Sequence, residues 1–307
     1  MAIGRLRRRT PAPPAAPFEI ITLKTASGWS LAVEIREPRG PIRGTAILLH
    51  SMMASRRIWN SPPEQGVTGV LNERGLRTLA LDFRGHGESG PAASKGGIWS
   101  YDDLVREDVP ALCRAARERW PNDRVTLVGH SLGGHVSIAS VSTSLAHPDA
   151  IVVLATNVWL RSEEPNPILY ARKAATTRLC ELATRSRGFF PARALRVGSD
   201  DEAAPFMTGW TGWWRRDRWT SDDGHIDYLE AISSLRVPVL SIASLGDHYF
   251  CTPTGAVRFI KRAPAGQTRF ELVRRADDGG RPPDHMQLVT TRAAVSAWHQ
   301  VAEFCAA

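Results

Sequence analysis

Ser131 sits at the centre of Gly129-His130-Ser131-Leu132-Gly133, a G-x-S-x-G that follows the strand-like run Val125 to Val128 and leads into helix-compatible residues. A serine at a sharp strand-to-helix turn has a strained backbone, so the positions two before and two after it must be nearly free of side chain. Gly129 and Gly133 meet that need. Such a turn lifts the hydroxyl off the sheet and aims the first amides of the next helix at any negative charge that develops beside it. The chemistry on offer is nucleophilic attack, which requires a base to take the hydroxyl proton and an acceptor to hold that base in one tautomer.

Nine histidines compete for the part of base. His285 closes the loop Ala276 to Asp284, rich in Asp, Gly and Pro, after a strand, whereas His299 falls within a helical pattern. Asp247 lies just past the apolar run Val237 to Ala243, while Asp222, Asp223 and Asp227 precede it and read as surface or helix-cap residues. The chain order Ser131, Asp247, His285 is the one expected where a serine elbow, an acid and a base follow successive strands of one sheet. His248 adjoins the acid and reads as a neighbour. Cys251 has no base of its own and reads as structural.

The elements that must position these residues alternate. Phe18 to Thr25 and Ser30 to Glu37 read as a hairpin about Ala26-Ser27-Gly28. Thr45 to Leu49 and Arg77 to Leu81 are buried strands, with a helix from about Pro63 to Arg74 between them. Ser100 to Trp120 has helical spacing. The elbow strand, a helix to about Ala146, and a strand Ala150 to Ala155 follow. After an interruption come a strand Val237 to Ala243, a helix Thr254 to Arg262, a strand Thr268 to Arg274 and a helix Gln287 to Phe304. Strand alternating with helix predicts an α/β fold around a mostly parallel, doubly wound sheet. The interruption, residues 158–226, reads as an inserted helical cap including Ile168 to Ser186. It divides the core into residues 18–157 and 227–307.

Composition narrows the function classes. The chain has 307 residues, 43% hydrophobic and 23% charged, enough for one domain with an insertion. Its formal net charge of +8 comes from arginines scattered along the chain, a solvated basic surface rather than a nucleic-acid footprint. The four cysteines form no C-x-x-C, so neither zinc nor a disulfide framework is indicated. Residues 1–17 carry four arginines and then a Pro/Ala stretch, which reads as a disordered tail and lacks the apolar centre of a secretory signal. A cytoplasmic location is the expectation, with no membrane span. No H-E-x-x-H or dinucleotide fingerprint is present, so no metal or cofactor is expected.

With these landmarks assembled, the chain resembles the α/β-hydrolase family from Phe18 to Ala307. L-L-H-S-M-M looks like its oxyanion loop, D-F-R-G-H-G-E-S like its D-x-R-G-x-G-x-S loop, G-H-S-L-G-G like its elbow, and P-D-H-M like its histidine loop; P-V-L-S-I-A-S-L-G-D-H-Y-F-C-T-P resembles its acid-bearing strand and turn. The branch it most resembles holds esterases, monoglyceride lipases and serine-aminopeptidase-like enzymes. The resemblance implies oxyanion donation by the Met52 and Leu132 amides, with Ser51 departing from the usual glycine. His50, Ser51 and His130 flank that site as candidates for the substrate pocket, and the structural alternative for the histidines is bonding to backbone.

Phe206 to Trp219 holds four of the ten tryptophans. Trp210, Trp213 and Trp214 are therefore candidates for a lid that lines an acyl pocket or meets a lipid surface. The competing reading is that the tryptophans anchor the cap. The expected activity is hydrolysis of a small-molecule carboxylic ester with a hydrophobic acyl or aryl group. Amide, peptide or thioester hydrolysis and acyl transfer use the same machinery, and a non-catalytic ligand-binding member of the fold is the alternative from another class.

Overall fold

The computed structural model describes residues 17–307; the expected N-terminal tail lies outside the described residues except for Pro17. The first strands, β1 (Phe18–Lys24) and β2 (Ser30–Arg36), form the expected antiparallel hairpin. The six residues of β3 (Gly44–Leu49) are all buried, as are those of β4 (Leu76–Leu81). Between them α1 (Val67–Glu73) is shorter than its pattern suggests. Glu64 is left-handed, with φ 61°, and Gly66 serves as N-cap, so the helix starts only at Val67.

Next come α2 (Tyr101–Asp103), a π-helical segment Leu104–Asp108 and α3 (Val109–Arg119), which together fill the span expected for one helix. Strand β5 (Val125–His130) leads into α4 (Leu132–Ser142), and β6 (Ala150–Leu154) follows. The segment expected as a cap contains α5 (Pro167–Arg187), the short strands β7 (Phe189–Phe190) and β8 (Glu202–Ala203), and α6 (Ala204–Arg216). The last part runs through α7 (Tyr228–Ala231), β9 (Val239–Ser244), α8 (Pro253–Ile260), β10 (Thr268–Val273), α9 (Gln287–Thr290) and α10 (Val295–Ala306). The C-terminal helix expected as one piece is broken because Thr291 is extended, with φ −130° and ψ 145°.

Eight strands make one sheet in the order β1-β2-β4-β3-β5-β6-β9-β10, parallel from β4 onward and antiparallel at the β1-β2 and β2-β4 pairs. Strands covered on both faces explain why β3, β4, β5, β6 and β9 have no exposed residue. Order reverses at β3, with β4 on one side and β5 on the other. In open α/β sheets a crevice opens at such a point, outside the strand carboxyl ends. The loops after β3 and β5 border it, and those after β9 and β10 lie along the same edge.

Candidate active site

Ser131 has φ 52° and ψ −110°, a strained conformation for a residue with a side chain. Packing over-determines it. A Cβ on residue 129 would lie 2.3 Å from the Gly133 carbonyl carbon, and one on residue 133 would lie 2.1 Å from the Leu49 oxygen. The elbow therefore closes against itself and against β3 only because both flanking positions are glycine. Ser131 N–H donates to the Leu154 carbonyl and Gly133 N–H to the His50 carbonyl, tying the turn to both neighbouring strands. Among the described residues the Ser131 hydroxyl makes no hydrogen bond, and the residue is partly exposed.

The expected acid and base meet. Nδ1 of His285 donates to Oδ2 of Asp247 at 2.5 Å, and both side chains are nearly buried. Burial raises the Asp247 carboxyl, but the His285 bond and charge and the N–H groups of Cys251 and Tyr249 outweigh it, so the group lies below its ordinary value. Phe250 N–H adds a third backbone donor at 2.9 Å. Ionised Asp247 can only accept, which fixes the proton on Nδ1 of His285 and leaves Nε2 with its lone pair. Cys251 is fully buried and its thiol is pushed well above the ordinary range by that burial, so it offers no thiolate.

The loop after β3 is held from several directions. His50 donates from Nδ1 to the Ser51 carbonyl at 2.7 Å and accepts at Nε2 from Phe83 N–H at 3.0 Å. Burial first, then the neighbouring His86, lowers its pKa well below the ordinary value, so it braces the loop as a neutral ring. His130 is also fully buried. Its Nε2 donates to the His285 carbonyl at 3.0 Å, and burial, followed by His285, pushes its pKa down to about 3. Both histidines, expected beside the substrate, are framework residues, because neither exposes an atom to a pocket. Ser51 is 3% exposed and its hydroxyl points to Sδ of Met286 at 3.8 Å. Among the described residues the N–H groups of Met52 and Leu132 have no hydrogen-bond partner, the condition an oxyanion donor must meet.

The cap tryptophans divide. Trp213 is 1% exposed and meets Tyr101 edge-on at 4.7 Å, with His135 at 5.9 Å and Trp219 at 6.2 Å. This cluster fastens α6 to the elbow helix, and Trp213, buried within it, is packed as an anchor. Tyr101 donates to Nδ1 of His135 at 3.0 Å, and burial holds that imidazole neutral with its pKa near 3. Trp214 is 6% exposed and packs on Tyr170. Trp210 is partly exposed and lies 5.4 Å from Trp159.

Sequence reasoning missed an aromatic wall. Phe250 lies 4.9 Å from the His285 ring and 6.1 Å from Trp159, stacked on it, and Tyr249 closes the group edge-on to both. Trp159 also lines a cavity of ≈ 310 Å³ between the base of the cap and α8, together with Leu169, Phe259 and Lys173. The available signal was position: Trp159 follows β6 and Phe250 follows the acid, both at strand carboxyl ends. Among the described residues no three His, Cys, Asp or Glu side chains gather as a metal site, and no helix is long and apolar enough to cross a membrane.

Residues 52–201 match the family model described as serine aminopeptidase, S33. No curated protein matches the chain by sequence. Solved structures similar to it include an esterase of Pyrococcus furiosus, 18% identical with a TM-score of 0.63, the alignment covering 97% of this chain and 94% of that one. An esterase of Exiguobacterium antarcticum is 15% identical with a TM-score of 0.61, covering 93% and 99%. A monoacylglycerol lipase of Paleococcus ferrophilus is 15% identical with a TM-score of 0.59, covering 89% and 98%. At these identities the likeness is one of fold.

Proposed function

We propose that this chain, which has the α/β-hydrolase fold and matches the serine aminopeptidase S33 family model over residues 52–201, is a serine hydrolase of small-molecule carboxylic esters with a hydrophobic acyl or aryl group. Ser131 attacks the ester carbonyl while Nε2 of His285 takes its proton. Asp247 stabilises the imidazolium and keeps Nδ1 protonated. The amides of Met52 and Leu132 receive the oxyanion; one such donor is worth roughly 2.7 to 4 kcal/mol of transition-state stabilisation. His285 returns the proton to the leaving alcohol, and a water activated by the same imidazole then releases the acyl group from Ser131.

The observation that carries this reading is the Asp247–His285 pair at 2.5 Å, on the sheet edge where Ser131 stands strained with its hydroxyl unengaged. Phe250, Trp159 and Trp210 support a hydrophobic substrate, since a flat aromatic surface beside the base favours an apolar acyl or aryl group over a charged one. Turnover of p-nitrophenyl esters and labelling by a fluorophosphonate probe test it. Wild type should do both and Ser131→Ala neither, with an unchanged circular dichroism spectrum. Equal activity in the two proteins would refute the assignment.

A further inference from the structure

Met53 follows the proposed oxyanion donor Met52 directly, and the cap grips both of its peptide groups. Met53 N–H donates to Oε1 of Glu202 at 2.7 Å, and the Met53 carbonyl accepts from Ser199 N–H at 2.8 Å and Asp200 N–H at 3.3 Å. A Cβ on Gly198 would fall 2.4 Å from both the Met53 Cβ and its carbonyl oxygen, so this stretch of cap lies directly on the loop. Met53 itself is left-handed, with φ 59°, a conformation that an L side chain disfavours and that surrounding contacts must maintain. The Met53 N–H belongs to the peptide bond leaving Met52. Fixing that plane limits rotation about Met52 and hence the direction of the Met52 N–H.

Glu202 is itself oriented. Nε2 of His86, in the loop after β4, donates to the same Oε1 at 3.0 Å, and both side chains are 0% exposed. Nδ1 of His86 donates to the Arg84 carbonyl at 3.0 Å. Since both ring nitrogens face acceptors, the ring is an imidazolium. The second carboxylate oxygen of Glu202 is buried without a partner among the described residues. A buried ion pair with an idle oxygen is a poor device for stability alone, since apolar residues of the same volume serve as well or better. Its geometry does something apolar residues cannot: it presents an acceptor to one particular amide.

We propose that Glu202 is a positioning residue for the oxyanion hole, through which the cap segment 198–202 sets the orientation of the Met52 amide. Cap and oxyanion loop are thereby one unit, and withdrawal of residues 198–202 would release the loop. This rests on the reading of Ser131 as nucleophile and of Met52 as its oxyanion donor.

The test compares Glu202→Asp and Glu202→Gln with wild type for kcat, KM and thermal midpoint on one p-nitrophenyl ester. Aspartate keeps the charge but is one methylene too short to reach Met53 N–H; glutamine keeps the reach and an acceptor oxygen. We expect Glu202→Asp to lose about tenfold or more in kcat with KM within about threefold, because the donor aids the transition state. Glu202→Gln should recover most of that loss. Three results overturn the proposal: a folded Glu202→Asp with wild-type kcat, a Glu202→Gln as impaired as the aspartate variant, or losses that track only the fraction of folded protein. A wild-type enzyme that turns over no ester and takes no fluorophosphonate ends the hydrolase reading itself, and this inference with it.

Discussion

The carbonyl of His285 accepts a hydrogen bond from Nε2 of His130 at 3.0 Å, so the residue beside the proposed nucleophile holds the backbone of the proposed base. The His285 ring is fixed from one side by Asp247 and its peptide from the other by the elbow. The spacing of Ser131 and His285 thus depends on a buried neutral imidazole adjacent to the serine.

Removing that tie should be felt in both rate and stability. His130→Ala leaves the His285 carbonyl without its donor, at a cost of about 1 to 3 kcal/mol. It should also lower kcat by roughly ten- to a hundredfold through misplacement of the base. Chemical denaturation and steady-state kinetics measure the two effects separately. A variant with wild-type kcat would show that the tie does not position His285.

The elbow glycines permit a steric prediction. Gly133→Ala puts a methyl group 2.1 Å from the Leu49 carbonyl oxygen, in a strand that cannot retreat because it is hydrogen-bonded on both sides. Overpacking of this kind costs about 1 to 3 kcal/mol or more. The thermal midpoint should drop by several degrees or the protein should fail to accumulate.

Two tryptophans should separate anchoring from substrate contact. Trp213→Ala empties the cluster around Tyr101, Trp219 and His135 and should cost about 3 to 5 kcal/mol in stability. Trp159→Ala removes the ring shared by the aromatic wall and the ≈ 310 Å³ cavity. Here the expected readout is a shift of ester preference toward longer acyl chains. A chain-length series that is unchanged by Trp159→Ala would place the acyl group elsewhere.

The His86–Glu202 pair predicts a pH dependence. Burial lowers the pKa of His86, but Glu202 and then Asp200 outweigh it and raise the value to about 9, while the Arg84 carbonyl adds to the shift. The His50 and Trp99 rings complete the surroundings. A folded-state pKa above the ordinary 6.5 means that the stabilisation is complete below about pH 6.5 and fades as pH rises through about 9. The unfolding free energy of wild type, measured by chemical denaturation, should fall over that window relative to that of Glu202→Gln, by an amount on the order of 1 to 3 kcal/mol. Parallel curves for the two proteins would show that the pair is not ionised.

Local rules determined much of this protein. The strand runs are legible because a strand covered on both faces must be apolar throughout, and Ser131 is legible because a strained turn admits only glycine two residues to either side. Asp247 and His285 could be selected by their places after strands, since sheet order carries every such loop to one edge. The helix limits at Glu64 and Thr291 could not, because each depends on a single residue leaving helical conformation without a propensity signal.

Tertiary structure alone decided which tryptophans anchor, that His50 and His130 are framework, and that Glu202 reaches Met53 across 149 residues of sequence. Contacts of that range have neither period nor spacing. They come into being only when the cap docks on the sheet edge, where burial and the hydrogen-bonding needs of isolated amides choose the partners.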